Sequence, residues 1–234
     1  MEVDFLMNII QRDNLNDSIK LLSESINQKI VFSTSFGMED QVLLHAIASQ
    51  NIKNIEIFTL DTGRLFPETY DLWDKSLQQY SISIKSYNPN AIQIEEYVRD
   101  NGINPFYASV NLRKQCCHIR KVEPLNRALA GAKIWITGLR SEQSDNRNGL
   151  NLIEWDDHFQ VYKYNPLLHW TTSEVKDYIL KNGVPYNPLH DKNFVSIGCA
   201  PCTRAIKEGE NFRDGRWWWE NESKKECGLH TNSK

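Results

Sequence analysis

No apolar run in this sequence approaches the ~18 residues of a membrane-spanning helix. The acidic opening Met1-Glu2-Val3-Asp4 also lacks the basic and apolar regions of a secretory leader. Positive charge is not in excess: 27 Lys and Arg stand against 30 Asp and Glu, a formal net charge of −3. A nucleic-acid coat or an anionic-membrane binder needs the opposite balance. Neither a Gly-Lys-Ser/Thr phosphate loop nor a GxGxxG fingerprint occurs, so P-loop phosphoryl transfer and nicotinamide chemistry lose support. These absences point to a cytoplasmic protein with no nucleic-acid and no membrane partner. What is present is an ordinary globular composition, 234 residues with 40% apolar and 24% charged side chains. That suffices for one large domain with a substantial core.

Apolar periodicity alternates between helical and extended. Leu15, Ile19, Leu22 and Ile26 recur at three- and four-residue steps, which predicts a helix over 14–27. Short apolar runs at 29–33, 55–60 and 133–137 read as buried strands, with a further strand over 81–86. Helices are expected over 39–50, from Pro67, over 92–99, and from Thr171 or Thr172 to Lys181, where Gly183 and Pro185 stop the last. Strands alternating with helices imply βαβ units, hence an α/β fold with a mostly parallel sheet flanked by helices. The rhythm fades near residue 202. The expected partition is therefore an α/β domain over 1–202 and a polar, aromatic tail over 203–234, either a mobile arm or a strap across the domain.

In a doubly wound sheet, ligands bind beyond the carboxyl ends of the strands. Three loops stand there: Ser33-Thr34-Ser35-Phe36-Gly37, Asp61-Thr62-Gly63-Arg64 and Gly138-Leu139-Arg140. The first is hydroxyl-rich, contains a glycine and opens a helix, so its amides and the helix dipole suit phosphate oxygens. Ser33, Ser35, Phe36, Gly37, Asp61, Thr62 and Gly63 are the candidate nucleotide-binding residues, each with an ordinary alternative as a turn or cap residue. Arg140, after an apolar strand and a glycine, is placed to pair with an anion.

Five cysteines, an odd number, make a poor disulfide framework. Cys116 and Cys117 are adjacent, Cys199 and Cys202 form a CxxC, and Cys227 stands alone. Neighbouring side chains diverge, which is awkward for a zinc site whose sulfurs must meet at one ion. A cubane spreads four irons over a larger body and takes thiolate ligands. One 4Fe–4S cluster held by Cys116, Cys117, Cys199 and Cys202 is favoured over zinc; a redox dithiol at Cys199 and Cys202 would leave the adjacent pair unexplained. Arg113, Lys114, Arg120 and Lys121 surround that pair, and in a helix Lys121 returns to the face of Cys117. Arg213 and Arg216 lie three apart beside Trp217-Trp218-Trp219, guanidinium forks that suit phosphate or sulfate oxygens. Lys224, Lys225 and His230 flank Cys227 and favour its thiolate, which reads as a thiol free to react.

Ser33 to Asp40, Leu60 to Thr69, Gly138 to Arg140, Arg213 to Trp219 and Glu226-Cys227-Gly228-Leu229-His230, taken with the four upstream cysteines, resemble the assimilatory adenylyl-sulfate (APS) and phosphoadenylyl-sulfate (PAPS) reductases across nearly the whole chain. The resemblance implies an adenine-nucleotide hydrolase-like fold and reduction of APS to sulfite and AMP in sulfate assimilation and cysteine biosynthesis. It further implies thioredoxin or glutaredoxin as electron donor. Cluster-bearing members mostly reduce APS, so the resemblance is to the iron–sulfur type; PAPS reduction or dual activity is the alternative. A zinc-bearing nucleotide-binding sulfurtransferase is the alternative from another class. Cys227 is implied as the nucleophile, aided by His230, with Lys121, Arg140, Arg213 and Arg216 at anion-binding positions. Too little chain follows Cys227 for a fused thioredoxin-like domain, so an external donor is expected, and a homo-oligomer is compatible with this reading.

Overall fold

The computed structural model describes Leu6, Ile10 and residues 14–143 and 149–220. Asn14 caps the helix α1 (Leu15–Ser25) by accepting from the amides of Asn16 and Asp17 at 3.0 and 3.2 Å. Then follow β1 (Ile30–Ser33), α2 (Met38–Ala48), β2 (Ile55–Leu60), α3 (Pro67–Tyr80), β3 (Lys85–Tyr87) and α4 (Ala91–Asn101). After α5 (Val110–Cys117) and α6 (Glu123–Leu129) come β4 (Ile134–Ile136), β5 (Ile153–Asp156), β6 (Val161–Tyr164) and α7 (Thr172–Asn182). No helix among the described residues is long and apolar enough to cross a membrane.

The six strands form one sheet in the order β3-β2-β1-β4-β6-β5. β1 runs parallel to β2 and β4, with Ile30 opposite both Ile55 and Ile134. β4 runs parallel to β6, and β5 closes the edge antiparallel to β6. The strand order reverses between β1 and β4, which is where an open α/β sheet leaves a crevice at its carboxyl edge. Val31, Phe32, Ile134, Trp135 and Ile136 are all buried, as expected of parallel strands covered on both faces. The β5–β6 hairpin was not anticipated, although Ile153 and Val161 place their apolar groups inward. The strand expected over 81–86 is displaced to Lys85–Tyr87, because Ser81 turns into the left-handed region (φ 49) to close α3.

The chain divides into two compact units, Met1–Thr59 with Glu68–Lys85 and Gly131–Asn187, and Leu60–Pro67 with Ser86–Ala130 and Pro188–Lys234. This division runs across the expected 1–202 and 203–234 partition. In the first unit, α2 packs on α1 and α7, and the core gathers Ile19, Phe32, Val42, Leu43, Ile136, Leu167 and Ile179. In the second, a wide π-helical turn over His118–Val122 joins α5 to α6. Pro124 has no N–H for the Arg120 carbonyl four residues back, and its ring would crowd that carbonyl in a regular helix. The wider turn relieves both problems.

Thr171 and Glu174 form a reciprocal capping box at the start of α7, with Glu174 N donating to Thr171 Oγ1 at 3.2 Å and Thr171 N to Glu174 Oε2 at 2.7 Å. Thr171→Ala is expected to lower stability by about 1 kcal/mol in denaturant unfolding, with the denaturant slope unchanged.

Candidate active site

In the first unit, β1 and β4 end side by side and their following loops meet around a buried carboxylate. Ser35 donates to Asp40 Oδ2 from both its amide (2.6 Å) and its hydroxyl (2.7 Å). Phe36 takes φ 61, donates its amide to Thr34 Oγ1 at 3.1 Å and stacks its buried ring on Trp73 at 5.5 Å. Ser33 Oγ accepts from Trp135 Nε1 at 2.8 Å. A Cβ at Gly138 would collide with the Asp40 carboxylate, so only glycine admits this approach. Burial pushes the Asp40 carboxyl up to about 6, against the lowering effect of the Ser35 bonds. Arg140 is 1% exposed in its side chain. Its Nε donates to Glu39 (2.8 Å), Nη1 to Glu142 (2.6 Å) and the Trp170 carbonyl (3.0 Å), and Nη2 to Thr172 Oγ1 (3.1 Å). The loop amide of Ser35 and the Arg140 fork, both of a kind that holds anions, are thus occupied by the chain's own carboxylates.

In the second unit, Cys116, Cys117, Cys199 and Cys202 line one pocket together with Arg113, Arg120, Lys121 and Arg216, roofed by Phe106 and Trp217. None of the four is in a disulfide, and among the described residues no three Cys, His, Asp or Glu groups meet as a site for a single metal ion. The Asp61–Gly63 turn is tied into this pocket. Gly63 N donates to Asp61 Oδ1 at 2.9 Å, Arg120 Nη1 donates to the Thr62 carbonyl at 2.6 Å, and Thr62 Oγ1 shares a 3.3 Å hydrogen bond with Cys199 Sγ. Burial alone would raise the Cys199 thiol; Lys121, the Thr62 hydroxyl, Arg216 and Arg120 outweigh it and hold that thiol below its ordinary range. Burial and the neighbouring Cys199 push Cys202 up to about 12, and burial raises Cys116.

Residues 203–220 fold back as a strap. Thr203 and Arg216 bridge in antiparallel fashion, and the amide of Trp217 donates to the Cys202 carbonyl at 3.2 Å. Trp219 Nε1 donates to the Phe106 carbonyl at 3.2 Å. Gly198 lies so close under the Arg216 guanidinium that a Cβ there would clash. Trp217 accepts φ 43, a strained backbone for a bulky residue. Arg216 Nε and Trp217 Nε1 are buried donors without an acceptor.

The profile of the phosphoadenosine phosphosulfate reductase domain matches residues 29–205. An adenosine 5'-phosphosulfate reductase from Burkholderia cepacia is 50% identical over 204 residues, 87% of this chain and 81% of that protein. The chain belongs to the phosphoadenosine phosphosulfate reductase domain family. A second adenosine 5'-phosphosulfate reductase, from Allochromatium vinosum, is 50% identical over 215 residues, 91% of this chain and 84% of its own length. Among solved structures, the phosphoadenylyl-sulfate reductase of Candida auris in its phosphate complex superposes with TM-score 0.72 at 26% identity, covering 88% of this chain and 98% of that one. Yeast FAD synthetase shares the fold alone, with TM-score 0.55 at 18% identity over 86% of this chain and 66% of its own.

On this family's α/β frame, Ser33, Ser35, Phe36, Gly37 and Arg140 gather at the β1–β4 crevice of the first unit. Asp61, Thr62, Gly63, Lys121, Arg216 and the four cysteines gather in the second, and Arg213 lies on the strap, its carbonyl accepting from Arg216 N at 2.9 Å. Cys227 and His230 lie outside the described residues. Asp40, Glu39 and Glu142, which engage Ser35 and Arg140, were not anticipated; an acidic residue five positions after Ser35 at a helix start was the available signal for Asp40. Nothing in the sequence signalled Glu220, which pairs with Arg113.

Asp40 binds its proton more tightly folded (about 6) than at the ordinary 3.8. Its contribution to stability is therefore full below 3.8 and lost as pH rises through 6. Asp40→Asn should remove this dependence, a difference on the order of 3 kcal/mol between the two ends of that window. Urea unfolding of both proteins at a series of pH values checks it; parallel pH profiles would contradict the assignment.

Proposed function

We propose that this chain reduces APS to sulfite and AMP, with a thioredoxin or glutaredoxin as electron donor, in the cytoplasmic assimilation of sulfate. The observation that carries the reading is the pocket lined by four cysteines, none of them in a disulfide, and five cationic side chains in a chain half identical to adenosine 5'-phosphosulfate reductases. Cysteines outside disulfides suit a reducing cytoplasm.

The donor set fits a 4Fe–4S cluster, one per chain. Four thiols share one cavity, two of them adjacent in sequence, and adjacent thiolates suit different corners of a cluster better than one zinc ion. Lys121, Arg120 and Arg216 offset thiolate charge, and the acceptor-less N–H groups of Trp217 and Arg216 suit sulfur acceptors. Held by Cys116, Cys117, Cys199 and Cys202, such a cluster supplies fixed charge and bracing, while thiols supply the electrons.

The Cys227 thiolate attacks the sulfur of the sulfate–phosphate anhydride. The bond from sulfur to the bridging oxygen breaks, AMP leaves with that oxygen, and Cys227 keeps an S-sulfo group. A donor thiolate then attacks the Cys227 sulfur, expelling sulfite, and the donor's second thiol resolves the mixed disulfide. An anion attacking an anion requires screening. Lys121, Arg140, Arg213 and Arg216 provide it in this reading, and His230 supports the thiolate. Ser33, Ser35, Phe36, Gly37, Asp61, Thr62 and Gly63 bind the adenylate. Arg140 would exchange the half-exposed Glu142 for a substrate oxygen while keeping the less exposed Glu39. Residues 203–234, which carry Arg213, Arg216 and Cys227, act as the reactive segment.

Cys227→Ser is expected to abolish sulfite release while leaving iron content, brown colour and nucleotide binding intact; Cys199→Ser should bleach the protein. Mass spectrometry after mixing enzyme with APS alone should find an added SO₃ on the Cys227 peptide. Steady-state rates with APS and with PAPS, thioredoxin present, check the substrate: faster turnover of PAPS overturns the APS assignment, and a colourless zinc protein that works without Cys227 overturns the reductase reading.

A further inference from the structure

Arg113 projects from α5 one helical turn before Cys117, on the same face, and its guanidinium is hydrogen-bonded to that thiol. Nε and Nη2 clamp Glu220 Oε1 and Oε2 at 2.8 and 2.9 Å, and the guanidinium lies over the Trp217 ring at 4.7 Å. Arg113 and Glu220 are 1% and 3% exposed. Glu220 in turn donates its amide to the Trp217 carbonyl at 2.9 Å, which ties the end of the strap to the same tryptophan. A buried ion pair adds little net stability over apolar packing, but a lone buried ion is costly. A pair kept at this position therefore fixes arrangement and charge more than it stabilises.

We infer that Arg113 and Glu220 are a positioning pair that seats the strap on the cysteine-bearing helix and balances charge beside Cys117. Glu220 cancels the cation one turn from the thiol, so the net positive charge of the pocket is left to Arg64, Arg120, Lys121 and Arg216. The electrical half of this inference rests on the proposed cluster; the positional half rests on geometry alone.

The test uses Glu220→Gln, Arg113→Gln and the double variant in the full chain, read by the reduction potential of the cluster and by hydrogen exchange of the Arg216, Trp217 and Glu220 amides. Glu220→Gln leaves an uncompensated cation and should raise the potential, because the reduced cluster carries more negative charge. Arg113→Gln should lower it, and the double variant should return close to wild type. Both single variants should speed exchange at the three amides at least tenfold. Both potentials moving in one direction, as simple loosening would cause, overturns the charge balance; unchanged exchange overturns the positioning. Should the single variants lose the cluster, a double variant that keeps it supports the inference and one that also loses it overturns it. An iron-free wild type overturns the cluster reading instead, and exchange in the iron-free variants then decides the positioning by itself.

Discussion

A sulfur atom can carry negative charge in a protein interior only if cations are buried with it and their remaining donors are satisfied. The second unit is organised around this requirement. Arg120 faces the thiols and also donates to the Thr62 carbonyl, which brings the Asp61–Gly63 turn to the pocket. Arg216 reaches the thiols from the strap, at the cost of a glycine at 198 beneath its guanidinium. Cys199 shows the result: fully buried, it is still held toward the thiolate by the charges around it. Removing a cation would leave both an anion and its carbonyl partners without compensation, so these contacts form one network in which losses compound.

Local backbone features serve the same end. The wide turn forced by Pro124 follows directly on Cys117 and sets the direction of Arg120 and Lys121. The left-handed backbone of Trp217 places its ring between Arg113 and Arg216, 4.7 and 4.8 Å from their guanidinium carbons. Strain of this kind persists where the surroundings over-determine it, and here two ring–cation contacts and a backbone bond to Cys202 do so.

The first unit solves a different problem. Its crevice has anion-holding parts, a serine amide and an arginine fork, and fills them with Asp40, Glu39 and Glu142. Such carboxylates keep the parts in place, and in the proposed reading they yield, in charge or in position, to the substrate. Burial raises the Asp40 carboxyl to about 6, so it takes up a proton more readily than an ordinary aspartate, and Glu142 is exposed enough to move.

Much of this was legible in the residues themselves. The β–α alternation follows from local apolar periodicity: the helix at Leu15–Ser25, the strand at Ile55–Leu60 and the stop at Gly183 needed only neighbouring positions to be read. The cysteine pairs stand out because spacing is a property of the chain. The β5–β6 hairpin escaped because its strands are short and its pattern mixes Trp155 and Lys163 into the faces. The partners of Arg140 and Arg113 were beyond local reading, since Glu39 and Glu220 lie 101 and 107 residues away in sequence. Sequence by itself determined which elements form and which chemical groups are available, because both depend on adjacent residues. Tertiary structure alone decided which carboxylate meets which arginine and which thiol is held toward its charged form, because electrostatic energy in a buried site depends on distances through space that no local pattern encodes.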